Sequence, residues 1–285
     1  MKSTILAILT LLAFYTHADN NKGSAPLVIG FGAENQPYTM MDKQMIRAEG
    51  HEKHYGIEYS IIKQAMILMH YEIKAKPIPP RELKKSIKKF RNIDIISGVT
   101  RSKKDKLYYS NPILEIEYIA VSKNSLNAGI NSISNLSGFN VIARTGSYAT
   151  IKDGFGKLYH PKKGTHKHKY KEYDSNIKMH ADFWKAGSEA VLITTEVSFN
   201  HFRMLLAGTH DTNEDVTINE VFPTKTRLYT AFKSNKIRKE FNEALEDLKF
   251  EGTYTRIFDH YNHDKNPDFH KPNHNEITRQ IKKAP

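Results

Sequence analysis

Short apolar runs alternate with amphipathic stretches along this chain, and that alternation limits its fold more than any other feature. The run 27–32 (LVIGFG) is of strand type and ends at the turn Gln36-Pro37-Tyr38. Ile57, Ile61, Ala65 and Leu68 then recur at helical spacing, which predicts an amphipathic helix over 56–70. Residues 72–78 alternate as a strand. Pro79-Pro80 opens a second helix with Leu83, Ile87 and Phe90 inward and Lys84, Lys85, Lys88 and Lys89 outward, and 93–97 is the next strand. The order β-α-β-α-β is that of a parallel sheet with crossover helices.

Residues 115–122 (EIEYIAVS) read as one further strand, after which the composition changes. The Asn- and Ser-rich stretch 124–137 predicts a linker and a helix start, and 139–144 a strand running into Thr145-Gly146-Ser147. The Lys- and His-rich segment 157–169 reads as a surface loop. A helix over 175–186 turns Ile177, Ala181 and Trp184 inward and is closed by Gly187. Strand 190–193, helix 197–206 and strand 216–222 complete a second α/β series. Strand 226–233, a helix over 236–250, a break at Gly252 and a short helix marked by Tyr254, Ile257, Phe258 and Tyr261 follow. The polar remainder is expected to be a loose tail over 263–285.

At 285 residues the chain is long enough for two modest domains. Lys2, an uncharged run from Thr4 to Tyr15, and Thr16-His17-Ala18 form the pattern of a secretory signal cleaved near Ala18, so a mature chain starting near Asp19 in the periplasm is expected. No later stretch approaches the ~20 apolar residues of a transmembrane helix. There is no cysteine, which excludes disulfides, thiolate zinc sites, a cysteine nucleophile and a lipid-bearing cysteine. The net charge of +12 comes from 43 basic residues interspersed with 31 acidic ones. With export, that argues against a nucleic-acid partner and for a field favouring an anionic ligand. His160, His166 and His168, and His260, His263, His270 and His274, lack the framework of a metal site, so neither metal nor cofactor is expected.

Four stretches in this order, PLVIGFGAENQPYTMMD, IDIISGVTRSKKDKLYYSNPI, SISNLSGFNVIARTGSYAT and LYTAFKSNKIRKEFNEALEDLKFEGTYTRIFDHY, resemble the bacterial extracellular solute-binding proteins of family 3, relatives of the amino-acid receptors of ATP-driven uptake systems. The resemblance covers roughly 26–261. It implies a type II periplasmic-binding-protein-like fold, two α/β lobes joined by a two-strand hinge. Lobe 1 would be 26–122 plus 226–262 and lobe 2 would be 123–225, with crossings near 121–123 and 223–226.

Ligands of α/β sheets sit outside the carboxyl ends of the strands. Four loops meet that condition. Tyr38 follows the first strand, where the resemblance implies an aromatic wall. Ser97, Gly98 and Thr100 form the turn after the third strand, which in the family presents backbone groups and a hydroxyl. A basic clamp for a ligand carboxylate would be Arg101 or, counting back from Ser110, Lys103; arginine's planar fork suits that role better than the point charge of lysine. Gly146, Ser147 and Tyr148 form a glycine turn opening a helix, with backbone N–H groups available to an anion. Thr194 stands where amino-acid binders of the family often have an aspartate for the ammonium group, and nearby Glu196 could substitute or serve the helix terminus.

The function expected is capture of a small polar, anionic or amino-acid-like ligand between two lobes of a monomer, for delivery to a membrane ABC-transporter permease. No catalytic residue is expected. The alternatives are a periplasmic dehydratase-like enzyme acting on a cyclic carboxylic acid, with Glu34 or Glu196 as its acid or base, and a detached ligand-sensing subunit of a signalling receptor.

Overall fold

The structure is a computed structural model that describes residues 25–33, 35–42, 53–79, 82–83, 92–102, 106–261 and 281. The expected signal segment, most of the helix after Pro79-Pro80, Glu34, Lys103 and all of the tail but Ile281 fall outside those residues. No helix among the described residues is long and apolar enough to cross a membrane.

Strands β1 (Leu27–Gly32), β4 (Ile73–Ile78), β5 (Ile95–Val99), β6 (Tyr108–Tyr109), β7 (Leu114–Ile116) and β13 (Thr226–Phe232) form the first sheet. β1 lies parallel between β4 and β5, and β13 returns antiparallel to β5, β6 and β7. As an inner strand β1 is covered on both faces, hence its near-continuous apolar sequence. β4 is an edge strand, which tolerates Pro77 and the exposed Lys74 and Lys76. Helix α1 (Ile57–Leu68) packs Ile57, Ile61, Ile62, Ala65 and Met66 on one face of this sheet, together with Phe241, Leu245 and Leu248 of the long helix near the carboxyl end. β2 (Met40–Asp42) and β3 (Lys53–Tyr55) make a small antiparallel pair beside it.

The second sheet has the order β10-β9-β11-β8-β12, from β8 (Ile119–Lys123), β9 (Asn140–Arg144), β10 (Tyr170–Tyr173), β11 (Ala190–Thr194) and β12 (Val216–Asn219). β10, β9 and β11 are parallel, and β8 and β12 are antiparallel to their neighbours. The short helices α2 (Ser147–Thr150) and α3 (Phe155–Tyr159) follow β9, and Phe155 and Tyr159 of α3 join the core on one face of the sheet. Helices α4 (Asn176–Trp184) and α5 (Glu196–Leu206) cover the other face through Phe183, Trp184, Phe199 and Phe202. Helices α6 (Asn235–Phe250) and α7 (Thr253–Tyr261) belong to the first lobe, where the Tyr261 hydroxyl oxygen accepts from the Gly56 amide at the start of α1 at 2.8 Å.

Three sequence expectations need correction. The single strand read over 115–122 is two strands in different sheets: Ile116 pairs with Thr226 in the first, and Ile119 pairs with Thr194 in the second. The chain therefore changes sheets at Glu117 and Tyr118, and returns between Asn219 and Thr226. The alternation of 114–117 passes directly into the apolar run 118–121 with no Gly, Pro or other turn residue between them, so the sequence carries no break at the crossing. The segment 157–169, read as loop, contains the end of α3 and a 3-10 turn at Lys167–Lys169. Strand β10 went unread because Tyr-Lys-Glu-Tyr is polar, as an edge strand can be.

Candidate functional site

The carboxyl ends of β1 and β5 in the first lobe face those of β9 and β11 in the second, and the two lobes touch there. The loop after β1 supplies acceptors and the second lobe supplies donors. Arg144, the last residue of β9, sends both arms of its guanidinium across: Nη1 donates to Asn35 Oδ1, and Nη2 donates to the Ala33 carbonyl at 3.0 Å. The Gln36 carbonyl accepts from Asn176 Nδ2 at the start of α4 and from the Ser198 hydroxyl in the first turn of α5, each at 3.4 Å. Buried Tyr38 shares a 3.0 Å hydroxyl hydrogen bond with Thr195, whose side chain also caps α5 by accepting from the Ser198 amide. Burial pushes the Tyr38 phenol up to about 12, against the opposing Thr195 bond, so it is neutral and can donate. Tyr118, at the first sheet crossing, is raised by burial as well, and the Tyr38 and Arg144 side chains lie within its electrostatic reach.

Beneath this layer sits Glu58, in the first turn of α1 and 1% exposed. Burial pushes its carboxyl up to about 7, while a hydrogen bond with Ser97 and the Arg144 charge pull it down. Oε1 has no hydrogen-bond partner among the described residues. Gly98 has φ +70°, and a Cβ there would stand 2.9 Å from both carboxylate oxygens. Glycine is therefore required twice over, by the backbone and by the carboxylate packed against it. Gly98→Ala is expected to lower the stability of the protein by about 2 kcal/mol or more, from φ strain and the clash with Glu58, measured by urea unfolding. A neutral result would show that α1 can withdraw at no cost.

The expected site residues divide. Tyr38, Ser97 and Gly98 lie around this layer, Ser97 fully buried with its hydroxyl 3.5 Å from that of Thr230. Thr100 and Arg101 are exposed. The Gly146 amide, expected to be available to an anion, already donates to Glu172 Oε1 at 2.8 Å, and α2 is only four residues long. Ser147 is buried, and Tyr148 lies against His160 with ring centres 4.5 Å apart. Thr194 is turned into its own lobe, its hydroxyl 3.3 Å from His180 Nε2. His180 is wholly buried and stacked on Phe202, and its Nδ1 donates to the Asn176 carbonyl at 2.8 Å, so Nε2 is the acceptor for Thr194. Burial lowers this imidazole to about 4 despite the Asn176 bond. Glu196 is exposed at the start of α5. No group of His, Cys, Asp or Glu that could hold a metal ion is found among the described residues. An open depression of about 660 Å³ lies elsewhere on the second lobe, lined by Ser132, Asp153, Lys157 and Glu220 among others.

Arg144, Glu58, Asn176 and Ser198 were missed, and Thr195 was placed only as the neighbour of Thr194 in the loop after the strand AVLI. Two of them carried a signal. Arg144 is the one charged residue ending the strand NVIAR, at the carboxyl end of a parallel strand. Glu58 falls on the buried helical face formed with Ile61, Ile62 and Ala65.

A search of the curated proteins finds no match to this sequence. Among solved structures, the arginine-, lysine-, histidine-binding protein ArtJ from Geobacillus stearothermophilus superposes with a TM-score of 0.62 at 18% identity, over 89% of this chain and 100% of that one. The amino acid ABC transporter substrate-binding protein AbpA from Streptococcus pneumoniae, bound to L-arginine, gives 0.63 at 16% identity over 85% and 95%. The ancestral amino acid-binding protein AncCDT-1, a precursor of cyclohexadienyl dehydratase, gives 0.62 at 15% identity over 83% and 95%. Those likenesses carry the fold, the type II periplasmic-binding-protein arrangement of two α/β lobes. Residues 27–264 match the profile of one family, and the chain belongs to the bacterial extracellular solute-binding proteins, family 3.

Proposed function

We propose that this solute-binding protein is exported to the periplasm, captures a small polar ligand bearing a carboxylate between its lobes, and delivers it as a monomer to the permease of an ABC transporter. The lobes are taken as 26–117 with 225–262, and 118–224, with hinge segments around Glu117–Tyr118 and 220–225. The observation that carries the ligand class is the fork of Arg144, whose two arms rest on two neutral oxygens of the opposite lobe. A carboxylate offers two charged acceptors in the matching geometry and binds such a fork more strongly than amide oxygens do. Arg144 therefore takes the clamp role that the sequence reading divided between Arg101 and Lys103.

The test is thermal unfolding of the protein against amino acids, dicarboxylates and other organic acids. A ligand at about 100 times its dissociation constant adds roughly 2.7 kcal/mol of stability. The stabilisation is expected with a carboxylate ligand, to vanish in Arg144→Ala and to survive in Arg101→Ala. Loss in Arg101→Ala with retention in Arg144→Ala would return the clamp to the loop after β5.

The enzyme reading has one observation behind it, a buried carboxyl poised near neutrality at Glu58, where an acid–base catalyst would be placed. Steady turnover of prephenate or arogenate, abolished by Glu58→Gln, would favour that reading over a binding protein.

A further inference from the structure

We propose that the lysine-rich end of the second lobe, residues 157–171, is a docking surface for an anionic phospholipid bilayer. The segment holds six lysines and three histidines, and neither an acid nor an arginine. The nearest acids along the chain are committed elsewhere. Both carboxylate oxygens of Asp153 accept from Thr224, and Glu172 Oε1 accepts from the Gly146 amide and the Tyr170 hydroxyl. Two of the lysines are committed as well, Lys169 to the Ser137 and Gly138 carbonyls, each at 3.1 Å, and Lys171 to Asp182 at 3.3 Å. Lys157, Lys162, Lys163 and Lys167 are exposed and form no ion pair among the described residues.

The backbone gathers these four charges. The Thr165 amide donates to the Lys157 carbonyl at 3.2 Å and the His166 amide to the Leu158 carbonyl at 2.8 Å, while the Lys163 and Gly164 amides both donate to the His160 carbonyl. Lys167 Nζ reaches the Lys162 carbonyl at 3.5 Å. A Cβ on Gly164 would stand 2.4 Å from the Leu158 carbonyl oxygen, so the turn is tight as well as hydrogen-bonded. β10 starts directly after it and runs parallel to β9, and Lys169 is tied to residues just before β9. The surface therefore lies at the amino ends of those strands, whereas the cleft lies at their carboxyl ends, and a bilayer held there leaves the cleft open to solvent. Composition separates a lipid from a protein partner. Lysine is a strongly hydrated point charge that is depleted from protein interfaces, where arginine is enriched. It suits a fluid layer of phosphodiester headgroups, which asks for charge and no fixed geometry. The proposed export decides only which membrane the surface meets.

The test is co-sedimentation of the protein, recovered after export, with vesicles of phosphatidylcholine alone and with about 30% phosphatidylglycerol, at low salt and at about 1 M salt, where the screening length is about 3 Å. Binding is expected only to the anionic vesicles at low salt. Lys162→Gln combined with Lys163→Gln, shown to be folded by circular dichroism, should weaken it about 25-fold, each lysine near the surface carrying about a factor of five. Lys74→Gln combined with Lys76→Gln removes the same charge from the exposed edge of the first lobe and should leave binding within about twofold of wild type. An equal loss from both pairs would show that net charge rather than this surface binds, and would overturn the proposal. So would absence of binding to anionic vesicles at low salt, or equally tight binding to phosphatidylcholine alone. Retention on protein-bearing membranes where pure lipid vesicles fail would overturn it in favour of an acidic protein partner. Each arm is read without added solute, so carboxylate capture at Arg144 stands or falls by its own test.

Discussion

Glu58→Gln is expected to stabilise the ligand-free protein at pH 8, by roughly 3 kcal/mol, although it removes a charged group from a position 1% exposed. The figure follows from the rise of the buried carboxyl from 4.5 to about 7. Between those limits the folded protein holds a proton that the unfolded chain has lost, so stability falls as pH rises through the window and stays low above it. Glutamine keeps the shape and removes the ionisation. The difference between variant and wild type should vanish near pH 4.5 and be largest above pH 7.

His180 runs the other way. Its imidazole is lowered from 6.5 to about 4, so between those values the unfolded chain holds a proton that the folded protein refuses. Stability from this group is complete above pH 6.5 and is lost as pH falls towards 4, again by roughly 3 kcal/mol. The two windows overlap and the slopes oppose, so in wild type these two groups nearly cancel between about pH 4.5 and 6.5. Glu58→Gln should unmask the imidazole, and its stability should drop steeply with acid where wild type stays level. Urea unfolding at half-unit steps from pH 4 to 8 reads both effects. A variant less stable than wild type at pH 8 would mean that the carboxylate is well paired after all. Parallel profiles would mean that the Glu58 carboxyl is not held above its unfolded value, since His180 contributes equally to both proteins.

The elements were legible because each is a local pattern. The apolar run of β1, the helical repeat of α1 and the face of α6 follow from burial in two lobes of ordinary design, and α6 is bounded by the capping hydroxyl of Ser234 and by Gly252. The cleft is a different kind of object. Arg144 meets Asn35 across 109 residues and Tyr38 meets Thr195 across 157. Nothing local in either partner encodes the meeting. The family resemblance directed attention to the loop after β5 and to the glycine turn after β9. In this chain the first presents Thr100 and Arg101 to solvent, and an internal carboxylate takes the turn's Gly146 amide. The sign the sequence did carry, and the reading passed over, is a charged residue where the helical pattern demands an apolar one, as at Glu58.

The same cross-lobe layer holds the two lobes together, and Arg144→Ala should loosen it. Arg144 contributes two charge-assisted hydrogen bonds to the contact; the bonds to Gln36 are long at 3.4 Å, and the Tyr38–Thr195 pair is neutral. Hydrogen bonds to charged groups contribute about 1.5–3 kcal/mol, and on opening the freed oxygens of Ala33 and Asn35 regain water. A loss near 2 kcal/mol moves the balance between closed and open forms about 30-fold towards open. The chain has no cysteine, so nitroxides placed by Lys74→Cys on the first lobe and Lys163→Cys on the second report the interlobe distance without background labelling. Wild type should give one narrow distance distribution, and Arg144→Ala a broader one. Added carboxylate ligand should leave the wild-type distance in the closed range, by exchanging one set of acceptors for a stronger one. It should fail to narrow the Arg144→Ala distribution, because the fork that would hold the ligand is also the one that holds the lobes. A distribution unchanged by the substitution would place the closing energy in the Tyr38–Thr195 and Gln36 contacts, and the ligand would then have to compete with the loop after β1 rather than with the partners of one arginine.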